Sequence, residues 1–306
     1  MLRKLVESLG EKALVNGIAP LKRAQRSADP VLGFDTEYTR KRKLICYQLS
    51  NGANSALYTD KLTLESFSEK VTALTGVSDG AVWIVTFWSY AELQFFPILK
   101  KSHNWRLYAN GSFYCTFQVG TLTLNFFDLA RFFERSPLWR VAESFGEEKL
   151  EYDVTNVTTR SLRDPKFIAY AKHDAFLCWA ILEKLRQEFI PLGADPLISK
   201  TAAGLSSTVF RFNYLPEKLP PPSPRGRLAG MYACWGGRAE VFRRGRHAEV
   251  WEYDLDSAYP NAAISIGKFP VGEDLKSVAN LRGTGFARVY FKFPDTEYPC
   301  LPCVIG

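Results

Sequence analysis

Eight residues, VLGFDTEY (31–38), constrain this chain most. The apolar start predicts a strand, and on a strand the side chains at i and i+2 share one face. Asp35 and Glu37 are therefore aimed at one spot, where they repel each other unless a proton or a cation sits between them. A strand that ends in two aligned carboxylates predicts a site as well as a sheet.

The chain has 306 residues, length enough for about two domains. Its 46% hydrophobic and 14% aromatic content supports packed cores and argues against general disorder. A net charge of +7 favours a polyanionic partner such as nucleic acid. The scattered cysteines 46, 115, 178, 234, 300 and 303 read as reduced thiols, not a disulfide framework. Cys300 and Cys303 form a CxxC with no second ligand pair nearby, so they do not predict a zinc site. No apolar run approaches a membrane span, and the opening MLRKLVESLGEKALVNG lacks a signal core. The expectation is a cytoplasmic protein with a leading amphipathic helix.

Strand-like runs follow at VLGFDTEY, KLICYQLS, SALYT and AVWIVTF, the last leading into a helical SYAELQFFPILKK. SFYCTFQVG and TLTLNFFDLARFF predict strands joined by a short turn, with a helix near PLWRVAESFG. A long helix comes next: Asp164 is placed to cap it, Pro165 suits its first turn and Pro191 stops it. The five prolines of LPEKLPPPSPRGRL predict a stiff linker, beyond which glycine, arginine and strand-like runs dominate.

Within the long helix, Tyr170 and Asp174 share one face. Asp174 lies among Phe, Ile, Ala, Leu and Trp, where a carboxylate is costly unless paired or bound to metal. If that helix crosses the first strand, Asp35, Glu37 and Asp174 converge as hard oxygen ligands suited to magnesium or manganese. Glu92, on the helix after AVWIVTF, brings the set to four, the number for two ions that cleave a phosphodiester.

FDTEY, SYAEL and YAKHD, in that order, resemble the three exonuclease motifs of the tyrosine-bearing DEDD-type 3′→5′ proofreading domains. The resemblance implies metal ligation by Asp35, Glu37, Glu92 and Asp174, with Tyr170 orienting the attacking water. The second motif departs from the family pattern, an aspartate preceded by asparagine or histidine; here Glu92 has Trp88 and Ser89 upstream. SPLWRVAESFGEEKLEYDV resembles the stretch that grips a single-stranded 3′ end, which implies DNA contacts from Ser136 and Leu138. Lys149 falls where small protein-primed polymerases place a lysine against the scissile phosphate.

EYDLDSAYPNAAISI resembles motif A of B-family DNA polymerases, with Ala258 in place of leucine. That implies Asp254 as a palm metal ligand, a triphosphate cradle at Leu255, Ser257 and Ala258, and Tyr259 beneath the sugar. MYACWGGRAEVFRRGRHAEV resembles the YxGG segment, implying DNA contacts from Gly236, Gly237, Arg238 and Arg243, with Cys234 replacing the family's tyrosine. Neither a KxxxNSxYG fingers motif nor a YxDTD sequence occurs in these 306 residues.

The expected fold is α/β: a ribonuclease H-like exonuclease domain, a mixed sheet with flanking helices, then the β-rich beginning of a palm. The expected boundaries are a helical lead-in at 1–28, the exonuclease at 29–213, a Pro-rich linker at 214–228 and a partial palm at 229–306. The resemblance is nearest to the small protein-primed or self-priming polymerases, read as a truncated or split product or a fragment. It implies two Mg²⁺ or Mn²⁺ ions per active site. The implied partners are DNA and, for a completed palm, deoxynucleoside triphosphates, with a terminal protein or a second polypeptide beside them. A stand-alone exonuclease and a non-catalytic DNA-binding subunit are the alternatives.

Overall fold

The computed structural model describes residues 17–96, 105–107, 113–133, 136–233, 245–246, 248–251, 255 and 258–266. The chain divides into two compact units, residues 21–216 and residues 1–20 with 217–306.

The larger unit is built on a seven-stranded mixed sheet. Its strands are β1 (Val31–Tyr38), β2 (Leu44–Ser50), β3 (Ser55–Tyr58), β4 (Gly80–Thr86), β5 (Trp105–Leu107), β6 (Phe113–Val119) and β7 (Leu122–Asp128). They lie in the order β3-β2-β1-β4-β7-β6-β5. β1, β4 and β7 are parallel, and the remaining pairs antiparallel. Its helices are α1 (Leu64–Thr75), α2 (Ser89–Leu93), α3 (Leu138–Ser144), α4 (Pro165–Phe189), α5 (Pro196–Ser199) and α6 (Ala202–Asn213).

Alternation along β1 divides the interior in two. Leu32 and Phe34 enter a core with Tyr47, Phe67, Phe96 and Phe126, closed by α1. The Phe34 and Phe67 rings meet edge to face at 5.0 Å, a favoured aromatic geometry. Val31 enters the opposite core with Val85, Val141, Leu177 and Ile181, beneath α3 and α4.

The long helix starts and stops as its residues predict. The Asp164 side chain accepts from the Lys166 amide at 2.9 Å, and Pro165 opens the first turn. After Phe189 the chain tightens through Ile190–Leu192, which contains Pro191, and leaves at the left-handed Gly193. Gly33 sets how closely this helix lies on the sheet. A Cβ there would stand 1.9 Å from the Ala175 carbonyl oxygen, so only glycine lets α4 approach β1 this far.

The described residues add detail to several expectations. The expected leading helix falls on residues 1–17, of which all but Gly17 lie outside the described residues; residues 21–27 run as a strap bonded to residues 193, 195 and 211. Helix α1 falls in a stretch whose sequence reads only as strand-rich. SYAELQFF yields a single short helix over 89–93. In the smaller unit, α7 (Pro224–Ala233) begins inside the expected linker, because Pro224 suits a first helical turn. Most of the expected palm, 229–306, lies outside the described residues, and its described part includes a helix, α8 (Ala258–Ile266).

Candidate metal centre

Val31, Gly33, Asp35 and Glu37 occupy alternate positions on β1, on the side that faces α4. Pairing of β1 with β4 ends at Gly33 opposite Val85, so Asp35 and Glu37 project beyond it. The register with β2 shifts just after Glu37. Across this gap α4 presents Tyr170 and Asp174, one turn apart and both buried. One carboxylate oxygen from each of Asp35, Glu37 and Asp174 lies within 4.8 Å of the other two. They line a cavity of about 310 Å³ that also receives Thr36, Arg40, Glu92, Val154, Thr155 and Tyr170.

Glu92 arrives from the parallel strand β4 and is buried, 4% exposed. Its carboxylate accepts from the Thr36 hydroxyl. The turn that carries it there is unusual: Trp88 is left-handed (φ 69°), and its own side chain does not cap α2. Asp128, at the end of β7, supplies the missing acceptor, taking the Trp88 and Ala130 amides each at 3.2 Å. The Thr86 and Ser89 hydroxyls bond to each other across the same turn. Burial pushes the Asp128 carboxyl up to about 6, while the amides of Trp88, Ala130 and Ser89 favour its charged form.

Burial and mutual repulsion set the ionisation of the cluster. Burial, then repulsion from Glu92, Glu37 and Asp174, holds Asp35 well above the usual carboxylate range. Burial and Asp174 push Glu37 up to about 8. Glu92 also reaches about 8, through burial and despite the Thr36 hydroxyl. Burial raises Asp174 as well, and Lys149 opposes that rise. Asp35, Glu37 and Asp174 bring three hard oxygen donors within 4.8 Å of one another, a set that fits a small divalent cation, while Glu92 lines the same cavity bonded to Thr36.

Two further groups bear on the centre. The Lys149 ammonium pairs with both oxygens of Asp174 and stands 4.6 Å from the centroid of the Tyr170 ring. The Tyr170 phenol, raised by burial and by Asp174, stays protonated at any ordinary pH and works through hydrogen bonding. Tyr152 stacks on that ring at 5.8 Å, and its own hydroxyl donates to Asp164 at 3.0 Å.

The structure thus gathers Asp35, Glu37, Glu92, Lys149, Tyr170 and Asp174 into one place. Ser136 and Leu138 do not line this cavity: Ser136 donates its amide to the Phe133 carbonyl, and Leu138 packs against the core under α3. Among the residues of the second site, the Ala258 amide donates to the Leu255 carbonyl at 3.2 Å, forming a turn. Leu255 and Tyr259 are exposed. Asp254, Ser257, Gly236, Gly237, Arg238 and Arg243 lie outside the described residues. Sequence reasoning missed Thr36, Asp128 and Tyr152. Only Asp128 carried a signal, an aspartate ending an apolar strand where a turn must be capped.

No protein-family model matches the chain, and no curated protein matches it. Among solved structures it is similar to Phi29 DNA polymerase in three complexes. With single-stranded DNA the identity is 12% and the TM-score 0.36, covering 53% of this chain and 32% of that one. With primer-template DNA, in the post-translocation binary complex, the values are 13%, 0.38, 53% and 32%. With primer-template DNA and incoming nucleotides they are 14%, 0.37, 57% and 33%. This chain therefore spans about a third of the polymerase chains it matches. A likeness this slight assigns neither family nor activity, so the carboxylate cluster itself must carry any functional conclusion.

Proposed function

We propose that the unit 21–216 is a ribonuclease H-like, metal-dependent 3′→5′ exonuclease acting on single-stranded DNA, within a B-family DNA polymerase of the small protein-primed or self-priming type. The observation that carries this reading is the meeting of Asp35, Glu37 and Asp174 within 4.8 Å, with Tyr170 on the same helix face. Mg²⁺ or Mn²⁺ bound by these carboxylates and Glu92 would supply a nucleophilic water and stabilise charge developing on the phosphate oxygens. The protein's own groups do the rest. Tyr170, a protonated phenol, orients the water by hydrogen bonding, and its contacts with Tyr152 and Lys149 hold it in place. Lys149 sits where its charge meets the scissile phosphate once Asp174 engages a cation. Motif A at 254–259 belongs to a polymerase active site with its own metal ligand, Asp254. Deoxynucleoside triphosphates are substrates only of a palm completed by the missing fingers and YxDTD motifs, with a terminal protein or a second polypeptide as partner; these 306 residues alone are expected to degrade DNA and not to extend a primer.

The test is a 5′-labelled single strand incubated with Mg²⁺ or Mn²⁺. Stepwise shortening from the 3′ end is expected. Asp35→Ala or Asp174→Ala should slow it roughly 100-fold or more, the scale on which transition-state charge stabilisation is lost. Wild-type rates in Asp35→Ala would remove the assignment.

A further inference from the structure

The turn joining β1 to β2 reads Thr-Arg-Lys-Arg-Lys, residues 39–43. Arg40, Lys41, Arg42 and Lys43 are all exposed. None of the four forms an ion pair with a carboxylate among the described residues. Asp153, held low first by hydrogen bonds from Thr155, feels only the more distant charge of Arg40. A run of like charges in a turn is commonly just a solvated surface, and two features set this one apart.

The first is its position. Arg40 and Thr39 line the same cavity as Asp35, Glu37, Glu92 and Asp174, so the basic run begins at the rim of the carboxylate cluster. The second is its backbone. The turn is closed by the Arg42 amide on the Thr39 carbonyl at 2.7 Å, and by the Lys43 amide on the Thr39 hydroxyl at 3.2 Å. Arg42 is left-handed (φ 55°), a conformation that glycine or asparagine adopts more cheaply. Arg42 thus holds a cationic side chain at a backbone cost that glycine would not bear. The Arg42 guanidinium donates to the Gln94 side chain at 3.4 Å, a neutral partner that leaves its charge unbalanced.

We infer that the Arg40–Lys43 hairpin is the surface along which the phosphate backbone of a single DNA strand lies as its 3′ end reaches the carboxylate cavity. This rests on the nuclease function proposed for the same cavity. The partner is identified by charge complementarity: an anionic cluster that needs cations to receive a phosphate is bordered by fixed cations that hold the adjoining phosphates. The hairpin reads no bases, so the contact is independent of sequence.

Binding can be followed apart from catalysis, by fluorescence anisotropy of a labelled oligothymidylate in Ca²⁺ over a range of salt. Each phosphate contact on a single strand contributes about 0.7 to the slope of log affinity against log salt. Replacing Arg40, Lys41, Arg42 and Lys43 together by glutamine should reduce that slope by about 2 to 3. Affinity at low salt should fall roughly tenfold or more. Arg42→Gly separates a folding role from a binding role. Its melting temperature should stay level or rise, since glycine relieves the left-handed strain, while DNA affinity falls. An unchanged slope in the fourfold variant, or wild-type DNA affinity in Arg42→Gly, would overturn the inference. So would polyglutamate competing as well as DNA, because the surface would then not be selecting a nucleic acid backbone. If the wild-type chain degrades no strand but the slope still falls on substitution, the nuclease reading fails and the DNA-binding surface stands.

Discussion

The two faces of β1 carry opposite kinds of residue on one strand. Leu32 and Phe34 look into an interior of stacked and edge-on aromatic rings, held together by apolar packing. Gly33, Asp35 and Glu37 look toward α4, where backbone atoms press close and four carboxyl groups crowd together. The first face stabilises the fold. The second weakens it, because buried like charges favour unfolding until a cation joins them. One strand can serve both ends because its side-chain period is two, so chemistry and packing separate by a single residue.

The comparison breaks most visibly if the roles are swapped by mutation. Asp35→Ala should abolish nearly all nuclease activity, yet raise the melting temperature in EDTA, since it removes a repelled carboxylate. Phe34→Ala should do the reverse, costing about 3–5 kcal/mol of stability while the remaining folded molecules still cleave. Thermal melts beside specific activity read both. A loss of stability in Asp35→Ala without metal would mean the cluster is a structural network instead.

Gly33→Ala joins the two faces. With the Ala175 carbonyl 1.9 Å from any added Cβ, α4 must move away from β1. Asp174 then leaves Asp35 and Glu37, so activity should fall together with stability by a few kcal/mol, a typical overpacking cost. Retention of full activity would show that the helix position is not what assembles the site.

The pH dependence sharpens the contrast. In the folded protein Glu37 and Glu92 keep their protons to about pH 8, against 4.5 for the ordinary group. The folded state therefore binds more protons than the unfolded state in between, so stability present below about pH 4.5 is lost as pH rises toward 8. Melting temperatures in EDTA should fall across that window, and the increment on adding Mg²⁺ should grow across it. A flat profile would contradict the crowding.

A smaller effect is expected at Asp128, which touches no site carboxylate and acts through the Trp88 turn. Asp128→Ala should raise the Mg²⁺ concentration needed for half-maximal activity, roughly threefold to tenfold if it costs one hydrogen bond of about 1 kcal/mol. Asp128→Asn, which keeps an acceptor oxygen, should largely preserve it.

Much of the site is legible in the residues alone. An apolar start followed by two carboxylates two residues apart announces β1 and one face of the site, and Asp164 with Pro165 announces the start of α4. The helix 64–75 is harder to see although Thr63 caps it and Gly76 ends it, because strand-like runs crowd it on both sides. Glu92 is harder still. Trp88 and Ser89 upstream of it depart from the motif it resembles, and its bond to Thr36 depends on β1 and β4 being adjacent, which no local stretch of sequence reveals. The capping of the Trp88 turn by Asp128 is likewise a product of sheet order, and the pairing of Lys149 with Asp174 depends on the loop before α4 folding back along that helix. The basic hairpin is plain in composition, but its meaning comes only from its place at the cavity rim.

The most direct measurement is a crystal soaked with Mn²⁺ and examined by anomalous scattering. A peak is predicted among the Asp35, Glu37 and Asp174 carboxylates, at about the 2.0–2.2 Å typical of small divalent cations bound by oxygen. With the cation present, Lys149 should turn from Asp174 toward solvent or a bound phosphate. Absence of a peak at saturating Mn²⁺, with Lys149 still paired to Asp174, would contradict a metal centre at the end of β1.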